Sequence, residues 1–206
     1  MPRKDIKKPI RKKPTQRRSE ETVDAILEAA TRVFASAGLD ATTTKIAEIA
    51  GVSVGSFYQY FPDKHSLLLE LRERRYALLF TQFRKINEEM ADEPFERALD
   101  RILRFIFDHV TAQRDLQRLL MKELSLVPRN DWSMIINKNI QTGLRELFIL
   151  HRDELHSIDL ELSIFVVSAS IRGAARALVR DDPKFTNKSL ADELTRMITG
   201  HLVVVR

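Results

Sequence analysis

Twenty residues constrain this chain more than the rest of its length does. They run Thr42-Thr43-Thr44-Lys45-Ile46-Ala47-Glu48-Ile49-Ala50-Gly51-Val52-Ser53-Val54-Gly55-Ser56-Phe57-Tyr58-Gln59-Tyr60-Phe61. The apolar positions Ile46, Ala50, Val52 and Phe57 sit where two short helices would face each other. Ala47 is small enough for a close crossing. Gly51 supplies the positive φ of a sharp turn. Thr42 or Thr43 caps the first helix, and Ser53 the second. The spacing predicts a helix-turn-helix, whose second helix enters the major groove of DNA.

The remainder reads as helix. Gly and Pro number 6 and 7, and three of the Pro lie within the first 14 residues. The long stretches rich in Leu, Ala, Arg and Glu favour helices, and no alternating run of strand length stands out. The expectation is an all-α chain of about nine helices: an N-terminal three-helix DNA-binding domain followed by a helical bundle. A first helix starts at Ser19, with an acidic first turn, and stops at Gly38. The second covers about 43–50 and the third 54–60. A long fourth starts at Pro62-Asp63, and a fifth is restarted by Asp92-Glu93-Pro94. A sixth ends before Pro128, and three more cover about 131–152, 159–180 and 188–203. The expected division is a disordered basic arm (1–18), a DNA-binding domain (19–65) and a ligand-binding and dimerisation domain (66–206).

The net charge of +5 is unevenly placed. Residues 1–18 hold nine Lys and Arg against Asp5, a net of +8, so the rest of the chain stands at −3. Such a block is either a solvated tail or a phosphate-contacting arm. Arg17 and Arg18, next to the folded part, are the arm residues expected on DNA.

The chain has no cysteine, which excludes disulfide and thiol chemistry and permits a cytoplasmic setting. No uninterrupted apolar run approaches the roughly 20 residues of a membrane span, and no secretory signal is visible. The five histidines show no metal-ligand spacing, and no phosphate loop, dinucleotide fingerprint or nucleophile elbow appears. No catalytic site, metal or cofactor is expected.

The stretch from Glu20 to Leu71 resembles the TetR/AcrR family of bacterial transcriptional regulators. The resemblance lies in Ala29-Ala30 to Phe34, Gly38, Thr42-Thr43, Ile46-Ala47 and Ala50-Gly51-Val52-Ser53. Its most specific portion is Gly55-Ser56-Phe57-Tyr58-Gln59-Tyr60-Phe61, followed by Asp63-Lys64 and Leu67-Leu68. It implies a homodimer built on the last two helices and a C-terminal effector-binding domain. Two positions depart from the common family pattern: Thr44 and Val54 stand where a basic residue is frequent. The third helix therefore has no charged side chain.

Base reading falls to Ser53, Val54, Ser56 and Gln59, with Gly55 allowing close backbone approach; Gln59 suits adenine. Thr42, Thr44, Tyr58 and Tyr60 offer hydroxyls to phosphates, and Lys45 and Lys64 offer ammonium groups. Lys64 is joined by the amides of a helix N-terminus. Small residues Ser170, Gly173, Ala174 and Ala177, with Leu194 and Ile198, are the expected dimer contacts. Phe83, Phe105, His109, Trp132, Asn137 and Phe165 are the expected pocket lining for an unidentified small molecule. A two-fold dimer implies a near-palindromic operator with half-sites one turn apart. The reading is a ligand-released repressor. The alternatives are a DNA-binding architectural protein without an effector and a transcriptional activator of the same fold.

Overall fold

The computed structural model describes residues 17–124, 132–156, 159–181 and 183–203. Among them lie α1 (Arg17–Ala37), α2 (Thr43–Ile49), α3 (Val54–Tyr60), α4 (Lys64–Glu89), α5 (Phe95–Thr111), α6 (Arg114–Leu124), α7 (Trp132–Leu150), α8 (Leu160–Asp181) and α9 (Asn187–Leu202). No strand occurs among the described residues beyond an isolated bridge between Leu155 and Val203. The all-helical expectation holds. Helix α1 begins at Arg17, so Ser19 lies inside the helix and does not cap it. Residues 1–16 of the expected arm lie outside the described residues.

The chain forms two compact units, and the boundary differs from the expected one near residue 65. The first unit runs through Arg75 and also takes in α6; the second takes the rest. The reason is the placement of leucines. Leu116, Leu119 and Leu120 of α6 are buried with Ile26, Ala30 and Phe34 of α1, Ile46 and Ala47 of α2, Phe57 of α3, and Leu67, Leu68 and Leu71 of α4. Removing each such leucine side chain from water favours the fold by roughly 1.5–3 kcal/mol.

The second unit has its own core, drawn from α4, α5, α7, α8 and α9. One side of α5 is continuous apolar surface: Phe95, Leu99, Ile102, Leu103, Ile106 and Val110. Pro94 precedes this helix and has no polar side chain to cap it. The cap comes instead from Glu154, whose carboxylate accepts the Phe95 N–H at 3.0 and 3.2 Å. His151 is buried, and its Nδ1 lies 2.9 Å from the same carboxylate. The His156 N–H then donates to the Leu202 carbonyl at 2.9 Å, so one short segment ties α5 to the end of α9. Helix α9 opens on a reciprocal cap between Thr186 and Ser189.

Gly143 lets α7 approach α4 closely. A Cβ there would lie 2.7 Å from Cε1 of Phe83, and Asn87 Nδ2 donates to the Gly143 carbonyl at 3.0 Å. Helix α8 is long and apolar enough, by length and composition, to cross a membrane. This corrects the expectation from uninterrupted runs: Ser, Ala and Gly break the run without making the helix polar. Its Ile164, Val167, Ile171 and Leu178 are buried in the second core, while Leu162, Phe165 and Val166 are exposed.

Candidate nucleic-acid interface

The turn between α2 and α3 is built as the sequence predicts. Thr42 is extended and accepts the Lys45 N–H at 3.1 Å. Gly51 has φ +68°, and around it the Gly51 and Val52 amides donate back to the Glu48 and Ala47 carbonyls. These bonds use carbonyls that the end of α2 would otherwise leave unpaired. Ser53 caps α3, accepting the Ser56 N–H at 3.0 Å, and the two serine hydroxyls lie 2.8 Å apart.

Helix α3 buries Phe57 and Tyr60 and exposes Val54, Gly55, Tyr58 and Gln59. These four positions make one continuous outward face. Val54 is 40% exposed. Tyr58 leans its ring edge-on to Phe57, with centroids 5.4 Å apart, and its hydroxyl lies 2.9 Å from that of Thr43. That bond joins the outer face of α3 to the first turn of α2. Sequence reading placed Thr43 only as a cap. The fifteen-residue separation from Tyr58 carries no local signal, and the pairing appears only once the helices cross.

Several expected contacts are relocated. Tyr60 is 7% exposed, its ring in the first core, so the ring packs inside and only the hydroxyl end is left for the phosphate contact expected. Three residues after Phe57 it falls on the same buried side. The N-terminus of α4 already holds a carboxylate: Asp63 Oδ1 accepts the Ser66 N–H at 2.7 Å, and Ser66 Oγ donates to the Asp63 carbonyl. Of the amides expected to be open beside Lys64, the Ser66 N–H is therefore taken by the Asp63 carboxylate. Lys45 Nζ reaches both oxygens of Glu48 at 3.0 and 3.1 Å. Exposed pairs of this kind are worth about 0–1 kcal/mol and exchange readily for a phosphate. Thr42 and Thr44 are exposed. Arg17 and Arg18 belong to α1, with side chains outside the described residues.

In the second unit, Phe83 is buried in the core, and Phe105 is half-buried with its ring tilted 6.0 Å from that of His109. Asn137 has a buried Oδ1 with no hydrogen-bond partner among the described residues. The Trp132 side chain lies outside the described residues. Phe165 is 57% exposed, which corrects its expected place in a pocket. Ser170 and Gly173 are exposed, and Ala174 and Ala177 half-buried. Leu194 and Ile198 are each 8% exposed and belong to the chain's own core, not to a surface available for pairing. Helical spacing alone does not tell a core leucine from an interface leucine. Among the described residues, the large apolar side chain that α9 presents outward is Met197, 62% exposed. No group of His, Cys, Asp and Glu suited to a metal ion occurs among the described residues.

The capped α2, the left-handed Gly51 and the outward face of α3 are a helix-turn-helix. Residues 26–71 match the bacterial regulatory proteins of the tetR family, and residues 94–202, more than half of the chain, match the tetracyclin repressor-like C-terminal domain. The chain belongs to the TetR family. It is a DNA-binding transcriptional regulator, and its relatives are regulators rather than enzymes.

Among those relatives is the Bacillus subtilis HTH-type regulator YuxN, 29% identical over 140 residues; the match spans 68% of this chain but only 46% of that protein. The repressor KstR2 of Mycobacterium tuberculosis is 30% identical over 133 residues, covering 57% of this chain and 66% of its own. A solved TetR-family regulator from Mesorhizobium loti shares the fold at a TM-score of 0.74 and 19% identity, over 92% of this chain and all of that one.

Proposed function

We propose that this TetR-family regulator is a repressor acting in the cytoplasm as a homodimer on a near-palindromic operator, and that a small molecule bound in the second unit releases it. The observation that carries the dimer is the outer face of α8. Leu162, Phe165 and Val166 are all more than half exposed there, and Ser170 and Gly173 follow along the helix. An apolar, small-residue face of this kind favours close packing against a second helix. Met197 of α9 takes the place given to Leu194 and Ile198 in the sequence reading. The repressor reading is supported by relatives such as KstR2, which is named a repressor. Phe105, His109 and Asn137 remain the proposed lining of a ligand site, with the unpartnered Asn137 Oδ1 as its acceptor. A ligand changes DNA affinity only as far as it binds the two dimer forms differently.

Thr42, Thr44, Lys45 and Tyr58 are proposed phosphate contacts. Ser53, Val54, Gly55, Ser56 and Gln59 are proposed to face the bases. The basic arm is proposed to add phosphate contacts beside the uncharged α3.

Fluorescence anisotropy of the full chain on DNA flanking its own gene, against a scrambled duplex, tests this reading. Gln59→Ala is the control, because Gln59 is exposed whereas Tyr60 is structural. Selective binding by a species that sediments as a dimer is the expected result. Equal, weak binding to both duplexes by a monomer would overturn it. Removal of residues 1–16 flattens the log–log salt slope by about 0.9 for each phosphate contact the arm makes.

A further inference from the structure

The outward face of α3 lacks the commonest base-reading chemistry. Arginine and lysine on guanine are the most frequent specific contacts in the major groove, and α3 contains neither. Its exposed positions are an aliphatic side chain, a bare backbone, a phenol and an amide: Val54, Gly55, Tyr58 and Gln59. The phenol hydroxyl is engaged by Thr43, and the Ser53 hydroxyl is engaged in capping the helix.

Gly55 is the informative residue. A glycine inside a helix is unfavourable relative to alanine. Here no internal reason for it exists among the described residues. Gly55 has no positive φ. A Cβ built on it would meet only Ser53 Oγ, at 3.7 Å, which is ordinary van der Waals contact. By contrast, Gly51 is required by its backbone angle and Gly143 by the Phe83 ring. The space over Gly55 is therefore open to something outside the chain. Val54 flanks that space, and Gln59 lies one turn further along the same face.

We infer that α3 reads its half-site through thymine methyl groups packed on Val54 and over Gly55, with Gln59 on a neighbouring adenine, and makes no guanine contact. The inference rests on the DNA-binding reading and adds the bases to it. The thymine 5-methyl is the one apolar mark on a base edge in the major groove. An aliphatic side chain beside a missing Cβ suits a methyl, whereas a polar edge buried against the same surface would lose its hydrogen bonds.

The test uses the full-length chain and a duplex enriched by it from a randomised pool. Each thymine of the enriched half-site is then replaced by deoxyuridine, which removes only the methyl. At the contacted thymine the affinity falls about fourfold per methyl, and about sixteenfold when both half-sites are changed, from the transfer free energy of one buried carbon group. In Val54→Ala the same replacement has a smaller effect, because the surface that held the methyl is gone. Gly55→Ala raises the urea midpoint yet weakens DNA binding, a pairing that a purely structural glycine does not give.

Deoxyuridine substitution without effect at every thymine would overturn the inference while leaving the regulator reading intact. So would a Val54→Ala variant that loses the same factor on both duplexes. Failure to enrich any sequence would overturn the regulator reading itself.

Discussion

Gly143→Ala tests the packing of α7 against α4. The new Cβ would sit 2.7, 2.9 and 3.1 Å from Cε1, Cζ and Cδ1 of Phe83. Carbon atoms pack best at about 3.5–4.0 Å, so the ring must retreat by about 0.8 Å or more. Phe83 is 2% exposed and held in the second core, so it has little room to do so. Overpacking of this kind costs about 1–3 kcal/mol. Against it stands the gain of about 1 kcal/mol from replacing a helical glycine by alanine. The net expectation is a loss of about 0–2 kcal/mol, together with strain on the Asn87 to Gly143 hydrogen bond.

A double-mutant cycle separates the two terms. In a Phe83→Leu background the clash is relieved, and Gly143→Ala becomes stabilising by about 0.5–1 kcal/mol. The coupling between the two positions is then about 1–3 kcal/mol, within the range found for residues in contact. Urea unfolding followed by circular dichroism reads it, with an unchanged slope showing that only stability has moved. If Gly143→Ala stabilises the parent and the Phe83→Leu variant equally, the close approach of α7 to α4 is refuted.

Gly51→Ala forces a side chain into the left-handed region at φ +68° and costs about 1–2 kcal/mol of stability, read by thermal or urea unfolding. Glu154→Ala removes the acceptor of the Phe95 N–H and leaves His151 Nδ1 unpaired, for a loss of about 1–3 kcal/mol in the same assay. Burial, reinforced by Glu70, pushes the Glu73 carboxyl above its ordinary range, with Arg72 pulling it down. A raised folded-state value means that the fold prefers the protonated carboxyl, so its ionisation at neutral pH is unfavourable to the fold. Glu73→Gln is accordingly more stable than the parent at pH 7, and that advantage shrinks as the pH falls toward the ordinary carboxylate value of 4.5.

Much of the fold was legible in the sequence because local chemistry and tertiary structure agree along it. Gly51, Thr42 and Ser53 each have one conformational use in such a stretch, and each is found in it. Where the described residues show them, helical boundaries followed the Pro and Gly positions to within about two residues, as breakers at helix ends allow; the expected end of the sixth helix before Pro128 lies outside the described residues. What was not legible depends on which helix faces which. Tyr60 looked like a hydroxyl for phosphate because its class is amphipathic, but the Phe57 side of α3 takes its ring inward. Leu194 and Ile198 looked like interface, and Phe165 like interior, because apolar spacing marks a stripe without saying what covers it. Glu154 capping Phe95 across 59 residues leaves no local trace at all. The same limit applies to the leucines of α6, which pack on helices far earlier in the chain.

That last arrangement bears on how the protein is made. The first unit is interrupted in the chain, its final helix arriving only after α5 has been synthesised. A ribosome adding roughly 5–20 residues per second takes several seconds to pass from Arg75 to Leu124. During that interval the nascent DNA-reading helices lack Leu116, Leu119 and Leu120 and show apolar surface to the cell. A gene fragment cut after α4 makes this transient condition permanent.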